Sequence, residues 1–497
     1  MKKSFHSWLN GVLTISILLS SGSAFARSWN DVSYTKGVSG KTYMNDNSPN
    51  WFNTPWHPVN YNYQFTALPT NGKVDSNHIP WGDSYWPKNH GAFNYRWKKF
   101  QDENMEQEMT PQELDRLFFH NVTPSPDQLA SMSQADIDTL SPTEKYSIFT
   151  GDFHYRLVSK WYSRWKENTP DRAYWEGYCH AWAAAALNYA EPQPVSFPIT
   201  LPNKQTITLN FGSGDIKALI VASFADGFNS IKRAQIGNKC QLSFMYPKTK
   251  FRHGKEVMAD YADYEGVMEG ELQSRVTQYE LDLQRLGLPP EGVDPAKAQN
   301  YAENDGACED TNAGAFHVMA ANQLGMMHEG FALDKTRDAE VWNQPAYAFD
   351  TKVVGTVPNG PRSAPGTSRT IQVETKLYYA DDTDYGWAFW YPTLTNLFSV
   401  ETNFMAEFDR YQKLLINEGD QTTAAKYPAN VIDSDTYQYT LELDAQDKIL
   451  GGEWLTLERP DYLWIAEKTG FGSGYEGLNR LYKPIVVPAG FDPKLDN

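Results

Sequence analysis

The chain has 497 residues, 44 Lys and Arg against 61 Asp and Glu, and a formal net charge of −17. No long basic stripe interrupts this excess of carboxylates, which excludes a partner held through its phosphate backbone. Beyond the first residues no segment approaches the roughly 20 uninterrupted apolar residues that span a bilayer, and a chain of this length is expected to divide into two or three structural units.

Residues 1–26 carry Lys2 and Lys3, an apolar stretch from Val12 to Leu19 and an Ala24-Phe25-Ala26 ending. This is the pattern of a cleaved signal peptide, and it places the protein outside the cell or in the periplasm. A segment rich in Trp, Tyr, Asn and Pro follows to about Phe100; its aromatic density argues for an ordered wrapping segment rather than disorder. Helix starts are written at Thr110-Pro111 with Glu113 and at Ser141-Pro142 with Glu144, where the cap hydroxyl and the N3 carboxylate satisfy free amides reciprocally. Helical patterns then cover about 148–165, 178–188 and 260–286, while 205–211 and 330–334 read as strands. The last third is strand-rich, at 370–380, 386–393, 437–444 and 461–467, beyond a Pro/Gly/Ser loop at 357–369. Helices first and strands later define an α+β chain, divided as 1–26 leader, 27–150 wrapping segment and N-terminal helices, 151–352 catalytic core and 353–497 β-rich part.

The chemistry centres on Cys179, which opens the alanine-rich run CHAWAAAALN. The chain has 3 cysteines, an odd number for an oxidising compartment, so at least one thiol is left out of any intramolecular pairing. Three pairings are possible. The polar flanks of Cys240 and Cys308 favour a bridge between those two and leave Cys179 free. At the first turn of a helix the dipole favours a thiolate by up to about 2 kcal/mol; lowering a thiol from about 8.5 to near 4 needs about 6 kcal/mol, so an imidazole must supply the rest. His180 lies round the helix from the cysteine. His317 is better placed, because an apolar run after it turns near Gly325 and returns to Asp334. If these are paired strands, His317 and Asp334 stand opposite each other; a helix from Val318 to Leu324 is the alternative, and it removes that opposition. Asp338 and Asn343 are reserve orienting groups. A buried cysteine or a lone histidine is more often a core residue than a catalytic one, so spacing alone stops here.

Several blocks carry a resemblance: VWNQPAYAF at 341–349, PWGDSYWP at 80–87, GYCHAWAAA at 177–185, AGAFHVMAANQLG at 313–325, ILGGEW at 449–454 and RPDYLW at 459–464. Together they resemble the oomycete transglutaminase elicitor family, in that family's order. The resemblance implies a papain-like cysteine-transferase core in which Cys179 is the nucleophile, His317 the base and Asp334 the third member, with Trp342 and Pro345 important for activity. It also implies calcium dependence, although the chemistry itself needs no cofactor; Asp381, Asp382 and Asp384 could hold a hard cation, and a solvated turn is the simpler reading of the same residues.

The implied activity is that of an exported protein-glutamine γ-glutamyltransferase. Cys179 forms a thioester with a protein glutamine and passes the acyl group to a lysine amine or to water. Trp175, Trp182 and Trp342 are available to line a water-poor channel, and the Cys179 N–H with the Trp175 indole is available for the oxyanion. A papain-like endopeptidase and a non-enzymatic secreted adhesin or carbohydrate-binding protein are the rival readings.

Overall fold

The computed structural model describes residues 48–75, 78–88, 91–96, 123–168, 176–237, 249–252, 255–258, 311–335, 341–359, 363–364, 366–382, 432–456 and 459–484. The leader, the helices expected at 110–118 and 260–286, the strand at 386–393, and Trp175, Cys240, Cys308, Asp338 and Asp384 lie outside the described residues. Strand β1 (Asn71–Lys73) is followed by helices α1 (Pro126–Ser131) and α2 (Gln134–Asp138), then α3 (Pro142–Phe149) and α4 (Arg156–Asn168). Helix α3 starts where Ser141-Pro142 places it, with its capping box closed by Glu144, and Ser125 with Gln128 closes the same box on α1. The helical pattern expected to run unbroken over 148–165 is interrupted after Phe149. There Thr150 Oγ1 donates to the Tyr146 carbonyl, and Gly151 takes φ 74°, which a glycine adopts without a Cβ clash. Tyr155, also at positive φ, buries its ring and donates its hydroxyl to the Pro124 carbonyl at 2.7 Å, and α4 begins after it.

Helix α5 (Cys179–Asn188) and helix α6 (Ser213–Gly227) enclose the hairpin β2 (Val195–Thr200) and β3 (Thr206–Phe211) in sequence. Strand β4 (Arg233–Gly237) and the hairpin β5 (Thr249–Arg252) and β6 (Lys255–Met258) come next. Asn312 caps α7 (Ala313–Ala320) by accepting from the Gly314 and Ala315 amides, and the chain continues as a π-helix through Ala321–Met327. The remaining elements are β7 (Phe331–Asp334), β8 (Asn343–Val357), β9 (Arg369–Ala380), β10 (Ile432–Leu443), β11 (Ile449–Gly451), β12 (Tyr462–Ala466) and α8 (Leu478–Leu481).

One curled antiparallel sheet organises these pieces, in the order β11-β10-β9-β8-β7-β12-β4 with β1 added against β8. Strand β8 runs through the boundary expected between 352 and 353, and β1 comes from the wrapping segment, so the sheet takes strands from segments that the sequence reading kept apart. Alternation along β7 and β12 feeds two cores. Ala332 and Trp464 pack with the buried faces of α5 and α6, whereas Phe331, Leu333, Leu463 and Ile465 pack with α7. No helix among the described residues is long and apolar enough to cross a membrane.

Helices α3 and α6 are joined by an ion pair sealed from water, Lys145 Nζ to Asp215 Oδ2 at 2.6 Å, with both side chains at most 1% exposed. Removing one member strands the other charge in the interior. Lys145→Met is expected to lower unfolding free energy by about 3–5 kcal/mol, read as a lower urea midpoint at unchanged slope.

Candidate active site

Cys179 is the first residue of α5, and the loop before it is fixed by backbone contact. The Tyr178 N–H donates to the Tyr85 carbonyl at 2.6 Å. At Gly177 a Cβ would collide with that carbonyl and with the Tyr85 ring, so only glycine allows the approach. The alanines of α5 are buried almost without exception and let α6 and the sheet close in around the helix.

The sulfur faces the start of β8. The Cys179 thiol donates to the Val341 carbonyl at 3.5 Å, and the Asn343 side-chain amide donates to Sγ at 3.6 Å. Asn343 is held in that orientation by a second contact, because the Trp464 indole N–H donates to its Oδ1 at 2.7 Å and leaves the NH2 pointed at the sulfur. Across the β7–β8 ladder Asn343 pairs with Asp334, which is fully buried and accepts the Trp342 backbone N–H on Oδ1 at 2.9 Å. The Trp342 ring meets Tyr85 edge-on with centroids 5.4 Å apart. Three segments distant in sequence therefore converge on one sulfur.

Electrostatically this is the site of a neutral thiol at rest. Burial pushes the Cys179 pKa up to about 11; the Asn343 hydrogen bonds oppose that shift, and the charges of Asp334 and Asp382 add to it. The helix end favours a thiolate by up to about 2 kcal/mol, under two pKa units; desolvation outweighs it, and the imidazole expected to supply the rest is not among the sulfur's hydrogen-bond partners. Asp381 and Asp382 both accept from the Gln344 amide, at 3.2 and 3.0 Å. Burial, then the Asp382 charge, raises Asp381 to about 8. Among the described residues no three His, Cys, Asp or Glu gather around one point, so no metal ligand set is assigned.

His317 is placed elsewhere. Val318 to Leu324 is helical, so no hairpin sets His317 opposite Asp334, and Asp334 pairs instead with Asn343 and Tyr462. The imidazole sits in the α7 core against Phe65 and Tyr439, with Nδ1 2.9 Å from the Tyr439 hydroxyl, and burial lowers its pKa to about 4. The hydrogen bonds of Cys179 go to Val341 and Asn343, and the sheet lies between the two cores. The structure brings Cys179 and Asp334 together and does not bring His317 to them. His180 packs on Phe228 with ring centroids 4.4 Å apart, and burial takes its pKa to about 3. Trp182 is core, its indole donating to the Trp81 carbonyl at 3.0 Å. Trp342 lies half-buried beside the sulfur's partners, and Pro345 is buried within β8. Trp464 is the member that sequence reasoning missed; the RPDYLW block contains it without signalling its role.

A thiol at a helix tip is thus faced by an oriented side-chain amide, with a buried carboxylate paired to that amide's residue across the adjacent ladder. The profile of the transglutaminase elicitor family matches residues 55–239 and 294–470, and the chain belongs to that family. Among solved structures it is similar to the crystal structure of the GP42 transglutaminase from Phytophthora sojae, at 17% identity and a TM-score of 0.47, covering 88% of this chain and 96% of that one. No curated protein sequence matches.

Because the sulfur is neutral and shielded, iodoacetamide labelling of Cys179 in the native protein is expected to be slow at pH 7 and to rise about tenfold per pH unit up to its raised pKa near 11. Peptide mass spectra separate this thiol from the other two. Fast labelling of Cys179 at pH 6 would contradict the geometry.

Proposed function

We propose that this protein is a cysteine-dependent acyltransferase of the transglutaminase type, acting outside the cell on protein glutamine and lysine side chains. Family membership supports the class of reaction. The observation that carries the proposal is the Asn343 amide, oriented by Trp464 onto the Cys179 sulfur. A buried thiol with only a packing role needs no such donor. A cysteine-bearing helix laid against an antiparallel sheet that supplies its polar partners is also what a papain-like core provides, and that reading of the architecture belongs with this proposal.

In the reaction a glutamine γ-carboxamide enters in front of the sulfur and displaces the thiol's bond to the Val341 carbonyl. The sulfur attacks the carboxamide carbon while the S–H proton passes to the Asp334 carboxylate, the first of the two acids, with Asp382, whose charges reach the sulfur. Asp334 then returns that proton to the departing ammonia, and a thioester remains. A neutral lysine ε-amine attacks the thioester, its proton goes back to the sulfur as the C–S bond breaks, and an isopeptide bond is left. Water in place of the amine gives glutamate. The Asn343 amide and the α5 N-terminal amides are placed to stabilise charge on the sulfur and on the carbonyl oxygen. No step here uses His317 or a metal ion.

Incubation with casein and a fluorescent primary amine tests the proposal. Wild type is expected to incorporate the amine, and Cys179→Ala to fall to background. Asn343→Leu is expected to lose about 10²–10³ in kcat, the scale of a lost transition-state donor. Asp334→Asn is expected to lose activity comparably, whereas folded His317→Gln retains activity with a lowered melting temperature, from the lost contact to Tyr439. Loss in folded His317→Gln with activity kept in Asp334→Asn would return the base role to His317. Casein fragments without incorporation would make the protein an endopeptidase, and absence of both would make it non-catalytic.

A further inference from the structure

Behind the C-terminal half of α5 the described residues enclose an open cavity of about 510 Å³, well within the roughly 300–1,000 Å³ of small-molecule sites. Its wall includes Trp56, His57, Asp75, His78, Asn188 and His328, and it also takes in Glu329, the last residues of β12 (Ile465 and Ala466) and Glu467 and Lys468 after them. None of these groups takes part in the Cys179 site.

The local backbone departs from regular geometry where it delivers these groups. The α-helical ladder of α7 gives way to a π-helix over Ala321–Met327, and the next residue, His328, takes the left-handed conformation at φ 57°. For a non-glycine residue that conformation is strained, and such irregularities collect at functional sites. Here they turn His328 and Glu329 into the cavity. The histidines are then fixed in rotation by backbone carbonyls: His328 Nδ1 lies 2.9 Å from the Lys73 oxygen, and His57 Nδ1 lies 3.1 Å from the Phe52 oxygen. His57 Nε2 meets Glu329 Oε2 at 3.1 Å, which ties the wrapping segment to the turn after the π-helix. One group is left over. The Asn188 amide nitrogen is buried and has no hydrogen-bond partner, although it sits in a cavity-lining residue. A buried donor without a partner is costly and is ordinarily satisfied by water or by a ligand.

We propose that this cavity is a binding site for a neutral polyhydroxylated ligand, the terminal sugar of a glycan. A hydroxyl group is both donor and acceptor, so a single ligand class can meet the orphaned Asn188 donor and the carboxylate and imidazole acceptors of the same wall. The Trp56 indole, half-buried at this wall, offers an apolar face against which the C–H face of a pyranose can lie. The charges are mixed with an acidic excess: Asp75, Glu329 and Glu467 outnumber Lys468, and His57 is paired with Glu329. That excess of carboxylates disfavours an anionic ligand, and the His57–Glu329 bond fixes the carboxylate within the wall. The inference is independent of the acyl-transfer proposal.

Saturation-transfer NMR on the full-length chain with the methyl glycosides of glucose, galactose, mannose and N-acetylglucosamine, followed by calorimetry with the matching oligosaccharide, tests the proposal. At least one sugar is expected to receive saturation and to bind. Trp56→Ala and Asn188→Leu are each expected to weaken binding about tenfold or more, and Trp56→Phe, which keeps a ring, less. Cys179→Ala leaves it unchanged, and melting temperatures check that each variant is folded. No transfer to any of the four sugars at about 10 mM, a level that would detect even the weakest affinities, would overturn the proposal. So would sugar binding that Trp56→Ala and Asn188→Leu leave intact, or stoichiometric binding of ZnCl2 with none of sugar.

Discussion

A sulfur withdrawn from water at the tip of an apolar helix must be met by something polar, and the arrangement around Cys179 follows from how that demand is satisfied. The donor is a single side-chain amide, and a free amide has two orientations of nearly equal shape. The Trp464 indole can only donate, so it selects the orientation that presents oxygen to itself and nitrogen to the sulfur. Register then becomes decisive. Asn343 opposes Asp334 on one side of β7, and Asp334 in turn opposes Tyr462 on β12. A slip of one residue in β8 would turn the amide to the other face and bring Gln344 to the sulfur side. The buried ladder from β8 to β12 is thus part of the site rather than a support beneath it.

The same sheet explains why two residues that look like partners in the sequence are separated in space. Phe316 and Val318 flank His317 and belong to the core on one face, while the faces of α5 build the other. A histidine among Phe65, Tyr439 and the buried body of α7, with its pKa lowered by burial, is neutral at physiological pH and serves the Tyr439–Thr375 hydroxyl network. The aromatic and hydroxyl groups that meet it are its own structural requirement.

What could be read from the sequence divides along physical lines. Local signals held: the Ser141-Pro142-Glu144 start of α3, the α5 run beginning at Cys179, and the strands at Thr206–Phe211, Phe331–Asp334, Arg369–Ala380 and Tyr462–Ala466 all follow from capping chemistry and from runs of β-branched and aromatic residues. Where one apolar run served two periods, the pattern was silent; Val318 to Leu324 suits a strand or a helix equally, and Asn312, an N-cap just before Ala313, was the overlooked cue for the helix. The joining of β8 to β1 and of β7 to β12 was not legible, because strand pairing between distant segments leaves no local trace. Neither was the neutral state of Cys179, since burial is a property of the assembled fold and a helix-end argument sees only the nearest turn.

The acyl-transfer site and the cavity share two rigid elements. Helix α5 carries Cys179 at its first residue and Leu187 and Asn188, which line the cavity, at its end; β12 carries Trp464, which orients Asn343, and immediately after it Ile465 and Ala466 of the cavity wall. Packed interiors deform little, so a ligand that draws on Asn188 or presses on Ile465 acts on elements that also fix the sulfur and its amide.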